Sequence, residues 1–84
     1  MANVTDNPHE NRYELLVDGY LSVADYDRNG NTIAITHLQV PVELRGKGVA
    51  AQLMAGVVED AKTKQLTINP ICSYAVSYLQ KNPL

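Results

Sequence analysis

The chain contains no Trp and no Phe, a single Cys, and no long apolar run. Each scarcity excludes something. One Cys allows no intramolecular disulfide framework and no Cys-based zinc knuckle, so a reduced, cytoplasmic protein without metal is expected. No stretch approaches the roughly 18 apolar residues needed to cross a bilayer, which excludes a transmembrane segment and a membrane partner. Met1 to Asp6 lack the basic and apolar regions of a secretory signal. Positive charge is not in surplus: seven Lys and Arg stand against nine Asp and Glu, net -2, which argues against a nucleic-acid partner.

What is present suits one small globular domain. Its 84 residues are 45% hydrophobic, carried by nine Val, nine Leu and eight Ala. Charge is unevenly spread. Residues 1–36 hold six acids against Arg12 and Arg28, net -4, whereas residues 37–84 are net +2, so an anionic ligand belongs in the second half. Residues 1–11 are polar and read as a flexible leader, with the domain proper over residues 12–84.

From Arg12 the pattern becomes that of strands. Tyr13, Leu15 and Val17 alternate with Glu14 and Asp18, and Asp18-Gly19 then signals a hairpin. A second strand runs to about Asp27, a turn lies at Arg28 to Asn31, and a third strand from Thr32 to Val40 stops at Pro41. Beyond it, Val49, Leu53, Met54, Val57, Val58 and Ala61 recur at helical spacing, giving an amphipathic helix from about Gly46 to Lys64. Leu66 to Asn69 is a short strand, and Ser73 can cap a last helix over Tyr74 to Lys81. The expected class is α+β: an antiparallel three-stranded meander, a long helix, a short parallel strand and a C-terminal helix. The strand–helix–strand unit should be a right-handed crossover. Tyr13, Tyr20 and Tyr26 are expected in the core or on the sheet, and Gly56 suggests close packing of the long helix on the sheet.

The chemistry concentrates in Val40-Pro41-Val42-Glu43-Leu44-Arg45-Gly46-Lys47-Gly48-Val49-Ala50-Ala51, which joins a strand to a helix. The first amides of a helix lack internal partners and sit at the positive end of its dipole. Gly46 and Gly48 let a phosphate approach those amides, and Arg45 and Lys47 add charge. Walker A is excluded, because no Gly-Lys-Ser/Thr follows a four-residue spacer. Gly46-Lys47-Gly48-Val49-Ala50-Ala51 fits the dinucleotide fingerprint, but Gln65 to Ile68 stand where its acidic residue belongs. A plain turn remains open as a reading.

Arg45-x-x-Gly48-x-Ala50 resembles the pyrophosphate motif of the GNAT superfamily of N-acetyltransferases. Ile35-Thr36-His37, the apolar-Pro segment, Pro70-Ile71-Cys72-Ser73-Tyr74 and Tyr78-Leu79 are similar to its very short YjdJ-type subgroup. The resemblance implies a truncated GNAT-like fold and an acetyl-CoA site. Arg45, Gly46, Lys47, Gly48, Val49, Ala50 and Ala51 would hold the pyrophosphate, with Leu38, Gln39 and Val40 on the pantetheine arm. It also implies an amine acceptor, a small molecule or a protein lysine or N-terminus, at an open site. The tyrosine that typical members carry in the last helix is replaced by Leu79, with Tyr78 one residue early and about 100° away around the helix.

Cys72 and His37 are the candidates for catalysis. Cys72 stands before the last helix, in the kind of setting that makes cysteines reactive, and His37 is near the end of the third strand. Cys72 as nucleophile with His37 as base, and His37 as base for the amine with Cys72 as acid, both remain open. A non-catalytic coenzyme A-binding module is the alternative. The exposed edge of the meander allows a monomer or a weak homodimer.

Overall fold

The computed structural model describes residues 3–83; residues 1, 2 and 84, the extremes of the leader and of the domain, lie outside the described residues. Five strands form one sheet in the order β1-β2-β3-β4-β5. They are β1 (Thr5–Asn7), β2 (Arg12–Val17), β3 (Tyr20–Asn29), β4 (Thr32–Gln39) and β5 (Thr67–Pro70). Helix α1 (Val49–Thr63) joins β4 to β5, and α2 (Ser73–Lys81) follows β5. The first four strands pair antiparallel, and β5 adds parallel to β4 from Thr32↔Thr67 to Ile35↔Pro70.

The alternation read in the sequence is the alternation of burial. Tyr13, Leu15, Ala24, Tyr26, Ile33 and Ile35 face one side and are buried there under Leu53, Met54, Val57 and Ala61 of α1. Two expectations change, for the leader and for Gly56, and Tyr20 takes the sheet rather than the core. The polar leader is not uniformly loose: Thr5–Asn7 pair with Glu14, Tyr13 and Arg12, extending the meander by an edge strand. Its polar side chains gave no apolar period, and they are held by polar partners, with Asn7 Nδ2 donating to Glu14 at 3.1 Å and the Tyr26 hydroxyl donating to Asp6 at 2.6 Å. Gly56 meets the leader too, since a Cβ there would overlap Val4. Tyr20 closes the β2–β3 hairpin opposite Val17 and is 41% exposed, so it is not a core residue.

Two features place the site. In β4 the pairing shifts from Tyr26↔Ile35 to Asp25↔His37, which leaves Thr36 as one extra residue. Such a bulge reverses the sidedness of everything after it. Leu38 and Val40 thereby pack against the core, and His37 and Gln39 emerge exposed on the other face. The second feature is where β5 ends. Its pairing stops at Pro70, and the amides of Ile71 and Cys72 both donate to the Ile35 oxygen, at 3.0 and 2.9 Å. Past Ile35, β4 therefore runs on without a parallel neighbour.

Candidate active site

The turn after β4 is built to leave donors free. Pro41 precedes a single 3-10 turn over Val42–Leu44, which ties the Leu44 and Arg45 amides to Pro41 and Val42. Gly46 and Gly48 then adopt φ of 81° and 72°, the left-handed region that side-chain-bearing residues avoid. Because both are left-handed, α1 starts at Val49 and not at Gly46. Gly48 is its N-cap, with no capping side chain. The first contact of the helix ladder is the Gln52 amide on the Gly48 oxygen at 3.1 Å. The amides of Val49, Ala50 and Ala51 precede that contact and have no internal acceptor.

These residues border a cleft of about 280 Å³ lined by Val40, Leu44, Arg45, Gly46, Gly48 to Ala51 and Tyr74. A Cβ at either glycine would meet nothing within 4 Å, so it is the left-handed backbone and not crowding that calls for glycine there. Arg45 is exposed and pairs with no carboxylate among the described residues. Lys47 differs from the expectation that it is simply available. Its amide is spent on the Leu44 oxygen at 3.3 Å, and its Nζ lies 3.4 Å from Asp18 Oδ2. The cradle is thus the helix start and Arg45, with Lys47 tethered beside it.

Cys72, and not Ser73, is the N-cap of α2: its Sγ accepts the Ala75 amide at 3.3 Å, and Ser73 is the first helical residue. The thiol is half-buried, and the Cys72 backbone is anchored to Ile35, two residues before His37. The bulge sets His37 on the same stretch of β4, exposed and opposite Asp25. Neither side chain lines the cleft, and no hydrogen bond joins the two candidates among the described residues. Tyr74 is the cleft residue that the sequence did not mark. Its ring is 6.4 Å from that of Tyr78 on the next turn, and burial raises the pKa of its hydroxyl above the usual tyrosine value. The Thr36 bulge had a readable signal: apolar positions run Ile33, Ile35 and then Leu38, Val40, a change of phase within one strand. Among the described residues no group of three or more His, Cys, Asp or Glu could hold a metal ion, and no helix is long and apolar enough to cross a membrane.

Comparison with known proteins agrees with this geometry. Residues 12–84 match the family model for the GCN5-related N-acetyl-transferases. The chain is also similar to a GCN5-like candidate N-acetyltransferase from Staphylococcus aureus whose solution structure was determined by NMR. That relative is 32% identical, with a TM-score of 0.72 over 95% of this chain and 79% of its own. A mixed sheet with a glycine turn feeding its long helix, matched along nearly its whole length, makes this chain a member of the GCN5-related N-acetyltransferase family and an acyltransferase.

Proposed function

We propose that the protein transfers an acetyl group from acetyl-CoA to an amine, with His37 and Cys72 at the point of transfer. The observation that carries this reading is the left-handed Gly46–Gly48 turn, which leaves the first amides of α1 open onto a cleft continuous with β4. Donors at a helix start suit a doubly charged diphosphate, and Arg45 supplies a full charge beside them. Leu38, Gln39 and Val40 lie on the part of β4 without a parallel neighbour, where backbone groups are available to an amide-bearing arm. A thioester delivered along that edge arrives between His37 and Cys72.

The lack of a Cys72–His37 hydrogen bond favours separate tasks. His37 takes the proton of the attacking amine. Cys72 donates a proton to the departing thiolate, and the Ala75 amide at 3.3 Å supports its sulfur once the proton has left. A covalent acetyl-cysteine route would need His37 to act on Cys72 itself. An acetyl mass increment on the Cys72 peptide after acetyl-CoA treatment alone would favour that second route.

Calorimetry with acetyl-CoA, followed by a free-thiol assay across a panel of amines, tests the proposal. Saturable binding and amine-dependent thiol release are expected. A folded protein that binds no acetyl-CoA at millimolar concentration would contradict it. Binding without consumption by any amine would leave the coenzyme-binding module as the better description.

A further inference from the structure

The face of the sheet turned away from α1 is open: Leu16, Leu21, Asp27, His37 and Gln39 are all exposed there. At the level of the bulge, register aligns Asn7, Arg12, Asp25 and His37 in one row across four strands. Directly opposed residues on neighbouring strands have Cα atoms about 4.5–5.5 Å apart and side chains on the same face. Asp25 therefore stands beside His37, between it and Arg12. Arg12 is already committed, its Nε donating to Glu14 at 2.7 Å. The Asp25 carboxylate has no ion-pair or side-chain hydrogen-bond partner among the described residues; its backbone oxygen accepts from Thr36 Oγ1 at 3.4 Å. Asp25 lies within the field of the Arg12 guanidinium, but Glu14 holds the contact with it, so Asp25 is a half-buried carboxylate without an ion pair of its own.

We infer that Asp25 receives the ammonium group of the acceptor, so that the substrate class is a cationic primary amine approaching over the open face. The inference rests on the acetyl-transfer reading above. An alkylamine is almost wholly ammonium at neutral pH, with a pKa near 10 for a lysine-like group. That form binds a carboxylate but cannot attack a carbonyl. Asp25 and His37 divide the problem: the carboxylate collects the charged form, and the neighbouring imidazole removes one proton. The freed nitrogen lone pair forms the C–N bond to the thioester carbonyl while the C–S bond breaks. The leaving thiolate takes its proton from Cys72 and the acylated nitrogen gives its second proton to solvent; Cys72 then regains one from solvent, and His37 releases its own. The net reaction is thioester plus ammonium giving amide, thiol and one proton. Asp25 acts here by binding and orienting the substrate cation.

The test compares n-butylamine, an ammonium ion at pH 7, with aniline, which is neutral there. Acetyl-CoA is held saturating. Asp25→Asn should raise KM for n-butylamine about tenfold, in line with loss of a charge-assisted contact, and leave kcat within about threefold. Its KM for aniline should not move, and Asp25→Glu should recover most of the loss. Glu59→Gln removes the same charge from exposed α1 and should leave both KM values unchanged. Where turnover is too slow to follow, amide chemical shifts in the coenzyme A-saturated protein give the same comparison. n-Butylammonium should perturb Asp25 and His37 in the wild type and not in Asp25→Asn. Normal coenzyme A affinity with unmoved KM, or with absent amide shifts, overturns the role of Asp25 alone. Loss of coenzyme A binding in the wild-type protein would instead overturn the reading on which it rests.

Discussion

The two ends of α1 are opposites. At its start, no side chain caps the helix, and the amides of Val49, Ala50 and Ala51 have no internal acceptor beside an open cleft. At its end the carbonyls of Asp60, Ala61 and Lys62 are taken up. The amides of Lys64, Gln65 and Leu66 donate to the last carbonyls at 3.0, 3.2 and 2.7 Å. Asp60 accepts the Tyr13 hydroxyl at 2.7 Å, Lys64 lies 2.9 Å from Asp60 and 3.1 Å from Asp6, and Asp6 accepts the Tyr26 hydroxyl. This chain of contacts clamps α1 to β1, β2 and β3, with the rings of Tyr13 and Tyr26 5.3 Å apart beneath it. In the proposed reading, one helix therefore carries its binding chemistry at the end left unfinished and its stability at the end that is closed. Substitutions should separate the two.

The largest effect belongs to the open end. His37→Ala should lower kcat with a competent amine by about 10²–10⁴-fold, as loss of a general base does, with the melting temperature unchanged because His37 is exposed. A smaller loss is expected in affinity. Gly48→Val forces a β-branched residue to φ 72° in the turn that lines the cleft, which should shift the start of α1, so coenzyme A affinity should fall at least about tenfold by calorimetry.

At the closed end the pattern inverts. Tyr13→Phe leaves Asp60 without its hydroxyl donor and should cost about 1 kcal/mol, lowering the melting temperature by roughly 4–8 °C while coenzyme A affinity stays put. The same end sets the response to alkali. Burial and the hydrogen bond to Asp60 raise the pKa of Tyr13, and burial and Asp6 push Tyr26 up to about 12. Lys64 is raised by Asp60 and Asp6. Groups whose folded pKa lies above the unfolded value stabilise the fold fully below the unfolded value and lose that contribution as pH climbs through the folded one. These groups should therefore add no pH dependence to the denaturant midpoint below about pH 10 and make it fall above, and Tyr26→Phe should flatten that decline. The smallest effect belongs to a surface pair beside the open end. Asp18→Asn frees Lys47 and should tighten coenzyme A binding up to a few-fold at low salt, and not at high salt.

How much of this the sequence disclosed follows the same division. The glycine turn before α1 was legible because Gly46 and Gly48 lie together between a strand and a helical stripe, where local backbone rules decide the outcome. The meander and the stripe of α1 were legible for a similar reason, since Tyr13, Leu15 and Leu53, Val57 mark their buried faces by period. The clamp was not, because Asp6 and Tyr26 are twenty residues apart and Tyr13 and Asp60 forty-seven, and no local pattern announces such pairs. β1 was missed since it is held by polar contacts from Asn7 and Asp6 and has no apolar alternation. Cys72 was read as a candidate for chemistry and Ser73 as the cap; a sulfur that caps in place of a hydroxyl is invisible to a preference scale. Asp25 carried no signal at all until the bulge at Thr36 fixed which residue faces His37.

The account stands on the unfinished start of α1 being the grip on the coenzyme, and an amide-resolved NMR titration with coenzyme A examines that directly. The largest shifts should fall on Gly46 and on Gly48 to Ala51, followed by Leu38 to Val40, with Tyr13, Asp60 and Lys64 unmoved. Saturating binding whose shifts gather at the tyrosine clamp, or a titration in which Gly48 to Ala51 stay still, would contradict it.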